Sequence, residues 1–234
     1  MEAILSVQNI SKSYKQQIAL DSISLQINKG DVYGLIGLNG AGKTTFLRAI
    51  SGLIRIDSGG ITLFSNADFK KELWRAGFVI EKPFLYLRNT VKENLTIYCK
   101  LLNVDTSRIS EVLSIVGLSN QISKKADDLS FGMKQKLNIA MALIKIPELL
   151  VLDEPLNGLD VQSVLEFRDL IKNLNENYGI TFIVSSHILS ELEEVATRYG
   201  ILKDGQLIHE GYKSEFNESI TLEDIFREKV GVKK

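Results

Sequence analysis

The segment that most restricts the fold runs from Val32 to Gly52. A short apolar stretch, Val32-Tyr33-Gly34-Leu35-Ile36, leads into Gly37-Leu38-Asn39-Gly40-Ala41-Gly42-Lys43-Thr44. Thr44–Ser51 then follows a helical pattern that stops at Gly52. The apolar stretch reads as a strand buried on both faces, the environment of a parallel sheet. The loop fits G-x-x-x-x-G-K-[ST] and has the strand-to-helix setting that this motif needs. With glycine at about 7% of ordinary composition, its four fixed positions coincide by chance on the order of once in a hundred such chains. A chain built around this segment forms an α/β sheet with the loop at the carboxyl edge of its strands.

Each residue type in the loop has a task in holding phosphate. Glycines let backbone N–H groups turn inward and leave no Cβ against an oxyanion. The positive end of the following helix lies behind them. Gly37, Leu38, Asn39, Gly40, Ala41 and Gly42 form that cradle. Lys43 is expected to reach the β- and γ-phosphates of a nucleotide, Thr44 to bind Mg²⁺ through its hydroxyl, and Thr45 to meet the α-phosphate.

A second apolar run, Leu149–Leu152, delivers Asp153 and Glu154 to the same kind of edge. Asp153 is expected to hold Mg²⁺ through its water shell. Glu154 is expected to polarise the water that attacks the γ-phosphate. Asp153 alone would serve a kinase or GTPase; the adjacent Glu154 favours water as acceptor, hence hydrolysis. His187 follows a third buried run, Ile180–Ser185, beside this edge. Upstream, Leu129-Ser130-Phe131-Gly132-Met133-Lys134-Gln135-Lys136-Leu137 opens a helix. Ser130 can cap it and Gly132 allows close backbone approach; in isolation this is a plain N-cap, and beside the two preceding motifs it is also a helix start suited to an anion.

The remaining pattern fills out the architecture. Ile4–Val7 and Ile18–Ile27 alternate as strands, and Ile61–Phe64 follows the turn Ser58-Gly59-Gly60. Helical periods occupy Thr90 to Leu143, with Val91, Leu95 and Tyr98 in register and Ile109, Val112, Leu113 and Val116 ending at Gly117. Val161–Tyr178 is a long amphipathic helix, and another begins near Leu189. Gly200–Ile208 is a hairpin with an Asp-Gly turn. Thr221–Lys229 is a short helix, acidic first and basic last. The expected organisation is one domain over 1–234. Residues 1–88 and 144–212 form the nucleotide-binding core, 89–143 an inserted helical subdomain and 213–234 a helical tail. The fold class is α/β: a P-loop NTPase core with a mainly parallel sheet and an N-terminal antiparallel β region.

Composition narrows the setting. The net charge of −1 gives no basic field for nucleic acid, so no nucleic-acid partner is expected. The single cysteine, Cys99, cannot form an internal disulfide and reads as a small core residue. Met1–Leu5 lacks a signal-peptide pattern, and the greasiest stretch, Ile139–Leu152, is broken by Lys145, Pro147 and Glu148. It falls short of the ~20 apolar residues of a membrane span. Any service to a membrane is expected to go through a partner.

In this order, the motifs resemble the ATP-binding subunit of ABC transporters over nearly the whole chain. Gly37–Thr45 resembles the Walker A loop, Leu129–Met133 the signature motif and Leu149–Glu154 Walker B. Gly158-Leu159-Asp160 resembles the D-loop, His187 the switch histidine, and Tyr14 the aromatic that stacks on adenine. The resemblance implies ATP and Mg²⁺ as cofactors, and a head-to-tail dimer, expected to be a homodimer, with two ATP molecules between its subunits. Ser130 and Gly132 of one subunit would face the γ-phosphate held by the other. It also implies a transmembrane permease partner and a peripheral seat on the cytoplasmic face of the cell membrane.

Two departures from the family pattern stand out. Glu81 occupies the place of a glutamine that offers its amide oxygen to Mg²⁺, and Met133 replaces another glutamine. Glu81, Pro83, Tyr86 and Val91–Leu95 resemble the subgroup exporting bacitracin or giving immunity to lantibiotic-type peptides. Glu81 is expected to bind Mg²⁺ and couple it to the permease, Met133 to weaken dimer contacts around the nucleotide. Phe84, Leu85, Tyr86 and Leu87 either join the core, the commoner fate of such residues, or border the groove that in the family receives a helix of the permease. The favoured function is ATP hydrolysis driving export of an antimicrobial peptide or drug. The alternative is a soluble ABC ATPase that remodels a protein complex.

Overall fold

The computed structural model describes residues 2–80, 85–215 and 221–231. β1 (Ala3–Tyr14) and β2 (Gln17–Asn28) form an antiparallel hairpin. β3 (Val32–Ile36), the phosphate loop and α1 (Lys43–Ile50) follow, and β4 (Ser58–Leu63) returns antiparallel to β1. These give a small sheet in the order β2-β1-β4. A 3₁₀ turn at Phe69–Arg75 leads into β5 (Ala76–Val79). Three helices come next: α2 (Val91–Leu102), α3 (Arg108–Ile115) and α4 (Phe131–Leu143). β6 (Leu149–Leu152), α5 (Val161–Tyr178), β7 (Thr181–Ser186) and α6 (Leu189–Glu193) complete the alternation. β8 (Arg198–Lys203), β9 (Gln206–Tyr212) and α7 (Leu222–Val230) close it. The larger sheet runs β5-β6-β7-β3-β8-β9, parallel except for β9.

Strand period two sorts the core into two layers. Tyr33, Leu35, Leu149, Val151 and Ile183 face the antiparallel sheet and pack with Leu5, Ile23, Phe46 and Leu47. Val32, Ile36, Leu150, Leu152, Phe182 and Val184 face the other way, against Leu95, Leu137, Phe167 and Leu170 of the helices. Both faces of the parallel strands are buried, which is why they read as unbroken apolar runs. Each fully buried Leu or Phe there contributes about 1.5–3 kcal/mol by leaving water. Cys99 lies in the helical layer, fully buried, and burial pushes its thiol pKa up.

Local chemistry sets the helix ends. Thr90 and Glu93 form a capping box at α2, Thr221 and Asp224 another at α7, and Asp160 caps α5. Gly179 and Gly231 end their helices in the left-handed region. Two elements differ from the sequence pattern. β1 extends from Ala3 to Tyr14 because register shifts between Val7 and Ile10 and beyond break the alternation while pairing continues. β5 carries no readable pattern. It is four residues at the sheet edge, and its Gly77 packs under Leu150 and the Ala142 carbonyl. Among the described residues, no helix is long and apolar enough to cross a membrane.

Candidate active site

β3, β6 and β7 lie side by side, with Leu152 level with Val184 and Ile36 level with Ser186. This register sets the phosphate loop, the carboxylate pair and His187 along one carboxyl edge. Helix α1 begins differently from its neighbours. Its cap is Gly42, at φ +107° and without a capping side chain, whereas Ser130 and Asp160 cap α4 and α5 with their own oxygens. The positive N-terminus of α1 is therefore left to an external anion.

The glycines in the loop answer to the chain itself as well as to phosphate. A Cβ on Gly42 would meet the Ala19 carbonyl at 2.6 Å, and one on Gly37 would meet the Leu202 carbonyl at 2.6 Å. The loop is wedged between β2 and β8, and its shape is set by these close approaches. Leu38, Asn39, Gly40, Ala41, Gly42, Lys43, Thr44 and Thr45 line a cavity of about 320 Å³ together with Tyr14, Ile18 and Glu154.

Charged groups meet at the mouth of this cavity. Lys43, only 6% exposed, donates to the carbonyls of Gly37 at 2.6 Å and Leu38 at 3.3 Å and pairs with Glu154 Oε1 at 3.1 Å. The other carboxylate oxygen, Glu154 Oε2, meets His187 Nδ1 at 2.7 Å. Thr44 Oγ1 donates to Asp153 Oδ2 at 2.8 Å. Glu154 is a non-glycine residue at φ +47°, a conformation that costs of order 1 kcal/mol or more and concentrates at functional sites.

Ser185 belongs to this cluster and was not singled out from the sequence. Its hydroxyl donates to Asp153 Oδ1 at 2.6 Å and accepts the Glu154 N–H at 2.9 Å. It thus fixes both carboxylate-bearing residues from the neighbouring strand. The available signal was two polar residues, Ser185-Ser186, at the end of an otherwise apolar run.

Ser130 and Gly132 lie apart from that cavity. Ser130 Oγ accepts the Met133 N–H at 3.2 Å, and its hydroxyl proton remains available to a second acceptor. Gly132 is buried where α4 meets the start of α5, and a Cβ there would come within 2.5 Å of Ser163 Oγ. Phe131 and Val161 stand exposed next to it. Met133 packs inward against the helical core. Glu81 and Phe84 lie outside the described residues; Leu85 packs on the core, while Tyr86 and Leu87 are exposed.

The comparisons agree with this geometry. Residues 20–157 match the ABC transporter family model. The chain is 42% identical over 214 residues to the bacitracin transport ATP-binding protein BcrA of Bacillus licheniformis, covering 90% of this chain and 70% of that protein. It is 38% identical over 227 residues to the lantibiotic transport ATP-binding protein SrtF of Streptococcus pyogenes, covering 97% of each. Among solved structures it matches the dimeric post-hydrolysis state of the ATP-binding cassette MJ0796 bound to ADP and Pi, with TM-score 0.77 and 26% identity. That match covers 89% of this chain and 98% of the other. With its phosphate loop, its carboxylate edge and these matches, the chain belongs to the ABC transporter family, as a cassette that binds and hydrolyses ATP.

Proposed function

We propose that the protein is the ATP-hydrolysing subunit of an exporter for an antimicrobial peptide or similar amphipathic drug. The carrying observation is the Glu154 carboxylate, held between Lys43 and His187 beside the Thr44–Asp153 pair. A triphosphate entering the loop offers Lys43 a larger charge than Glu154 does. Lys43 then swings to the phosphates, and Glu154 Oε1 is freed to take the proton of the attacking water. His187 acts as the polar donor to the γ-phosphate, Thr45 meets the α-phosphate, and Tyr14 stacks on the base. Thr44 and Asp153 are hard oxygen donors 2.8 Å apart, and they suit an ion that needs few protein ligands besides water and phosphate. Mg²⁺ held there would neutralise phosphate charge. Glu81 is assigned the further oxygen.

Ser130 and Gly132 serve a second copy of the chain. They stand away from the cavity that Lys43 lines, at the start of a helix with exposed apolar neighbours. In the dimer they close over the partner's γ-phosphate. The permease is assigned to the groove of about 130 Å³ where the 3₁₀ turn meets α2 and α4, lined by Trp74, Tyr98, Leu102 and Met141. Trp74 is well exposed there. This seats the protein on the cytoplasmic face of the membrane through the permease. The names of the BcrA and SrtF relatives support an antimicrobial-peptide cargo, and the remodelling reading finds no support among them.

The Glu154→Gln variant tests the chemistry. It is expected to bind ATP, to lose hydrolysis by roughly 10²–10⁴-fold, and to accumulate as a closed dimer on size exclusion. Rapid turnover in that variant would remove Glu154 as the base. Co-purification from detergent-solubilised membranes tests the partner. Wild-type protein should bring down a membrane-spanning subunit, and Trp74→Asp should not.

A further inference from the structure

Tyr14 is 44% exposed at the turn end of the β1–β2 hairpin, where it lines the cavity beside the phosphate loop. A stacking surface in that position has to keep its orientation without a surrounding core, and the β ladder that reaches it is irregular. β1 shifts register against β2 between Ile10 and Lys12 and again between Lys12 and Ser13, and against β4 between Gln8 and Ser11. One carboxylate adds a tie at that irregular stretch. Asp57 Oδ2 accepts the Ser13 N–H at 2.7 Å, and Asp57 Oδ1 accepts from Lys12 Nζ at 2.7 Å. Asp57 is itself tied down, its N–H donated to the Ser11 carbonyl at 2.8 Å. The Lys12 ammonium lies over the Tyr14 ring, 5.6 Å from the centroid. Its side chain is 16% exposed against 47% for Asp57, so it is packed down along the strand. The bonds from Lys12 and then Ser13 hold the Asp57 carboxyl below the usual carboxylate range.

We propose that Asp57 and Lys12 are positioning residues for Tyr14. The Asp57 carboxylate pins the backbone one residue before the ring and holds the Lys12 cation against it, so the ring is preset to stack on the base of ATP. This rests on the reading of Tyr14 as the base platform. Lys12 and Asp57 are not among the residues that line the cavity, so they act on the nucleotide through Tyr14.

ATP and tripolyphosphate, each with Mg²⁺, separate the effects, because tripolyphosphate carries the phosphates without the base. In the full chain, Lys12→Met and Asp57→Asn should each weaken ATP binding about two- to fivefold, the scale of an exposed cation–π contact. Tripolyphosphate binding should hold, the loss should appear in KM more than kcat, and Lys12→Arg should restore ATP affinity. Thermal melts check folding; Lys12→Gln, which can still donate to Asp57, repeats the test if Lys12→Met melts early. Tyr14→Ala is the reference. If it keeps the wild-type preference for ATP over tripolyphosphate, the platform reading fails and the proposal with it. If Tyr14→Ala loses that preference while Lys12→Met and Asp57→Asn keep it, the positioning role alone is overturned. Weaker tripolyphosphate binding in Lys12→Met, or tighter ATP binding in Asp57→Asn, would make Lys12 a direct phosphate contact and overturn it too.

Discussion

Glu154 combines three constraints at one residue: a left-handed backbone, a lysine on one carboxylate oxygen and a histidine on the other. The strain is sustained because Ser185 receives the Glu154 N–H and holds Asp153 with the same hydroxyl. Ser185→Ala leaves a donor and an acceptor without that partner. It is expected to lower kcat about 10-fold or more, as a lost hydrogen bond to a charged group at about 1.5–3 kcal/mol implies. ATP affinity should change little, since the phosphate loop keeps its contacts. Steady-state kinetics beside a nucleotide titration checks this; equal losses in both would assign Ser185 to the loop instead. Asp153, Glu154 and His187 were legible because rare polar residues stood at the ends of apolar runs. Ser185 has the same placement, but a serine closing a strand has many ordinary uses.

At the scale of elements, the seam between α4 and α5 is tight. A Cβ on Gly132 would lie 2.5 Å from Ser163 Oγ and 3.0 Å from Ser163 Cβ. Gly132→Ala is expected to cost about 1–3 kcal/mol through overpacking, with Tm falling by about 2–4 °C per kcal/mol in a chain of this size. Ser163→Gly in the same chain should recover most of that loss in a thermal melt. The sequence marked Gly132 as a site of close approach; which segment approaches it depends on how α5 crosses α4. The β8–β9 hairpin supplies a pH-dependent element. Tyr33 donates to Glu210 at 2.9 Å, and Tyr199 donates to Glu215 at 3.0 Å. Burial first, and the neighbouring carboxylates second, push both phenol pKa values up. Raised folded-state values mean that this stabilisation is complete below the unfolded phenol pKa of about 10. It is lost as pH climbs through the folded values. Tyrosinate absorbance should therefore show Tyr33 and Tyr199 ionising only together with unfolding. Tyr199→Phe should move the alkaline midpoint upward while lowering stability at pH 7 by about 1 kcal/mol.

At the scale of the whole molecule, the proposed dimer would join two half-sites that lie apart on one chain. The cavity with Lys43 and Glu154 would be one, and the capped start of α4 with Ser130, which is not among the cavity's lining residues, the other. Lys43→Ala and Ser130→Ala chains should each be nearly inactive as homodimers. Mixed in equal amounts they should recover about a quarter of wild-type turnover, because half of the pairs would have one intact site out of two. No recovery on mixing would place both half-sites in the service of the same chain.

The amino-acid order by itself determined the α/β class, the phosphate loop, the carboxylate edge and most helix boundaries. These depend on local chemistry: apolar runs for strands buried on both faces, glycine where only glycine turns, and Thr90, Asp160 and Thr221 as caps. Val161–Tyr178 was readable to the residue because a cap and a glycine stop enclose it. Tertiary structure alone decided what depends on contacts distant along the chain. It placed β5 at the sheet edge, carried β1 past its bulges to Tyr14 and brought Ser185 to the carboxylates. It also set Asp57 beneath Lys12, across 45 residues. No local pattern encodes which strand lies next to which, so the side chains that depend on that adjacency were silent in the sequence.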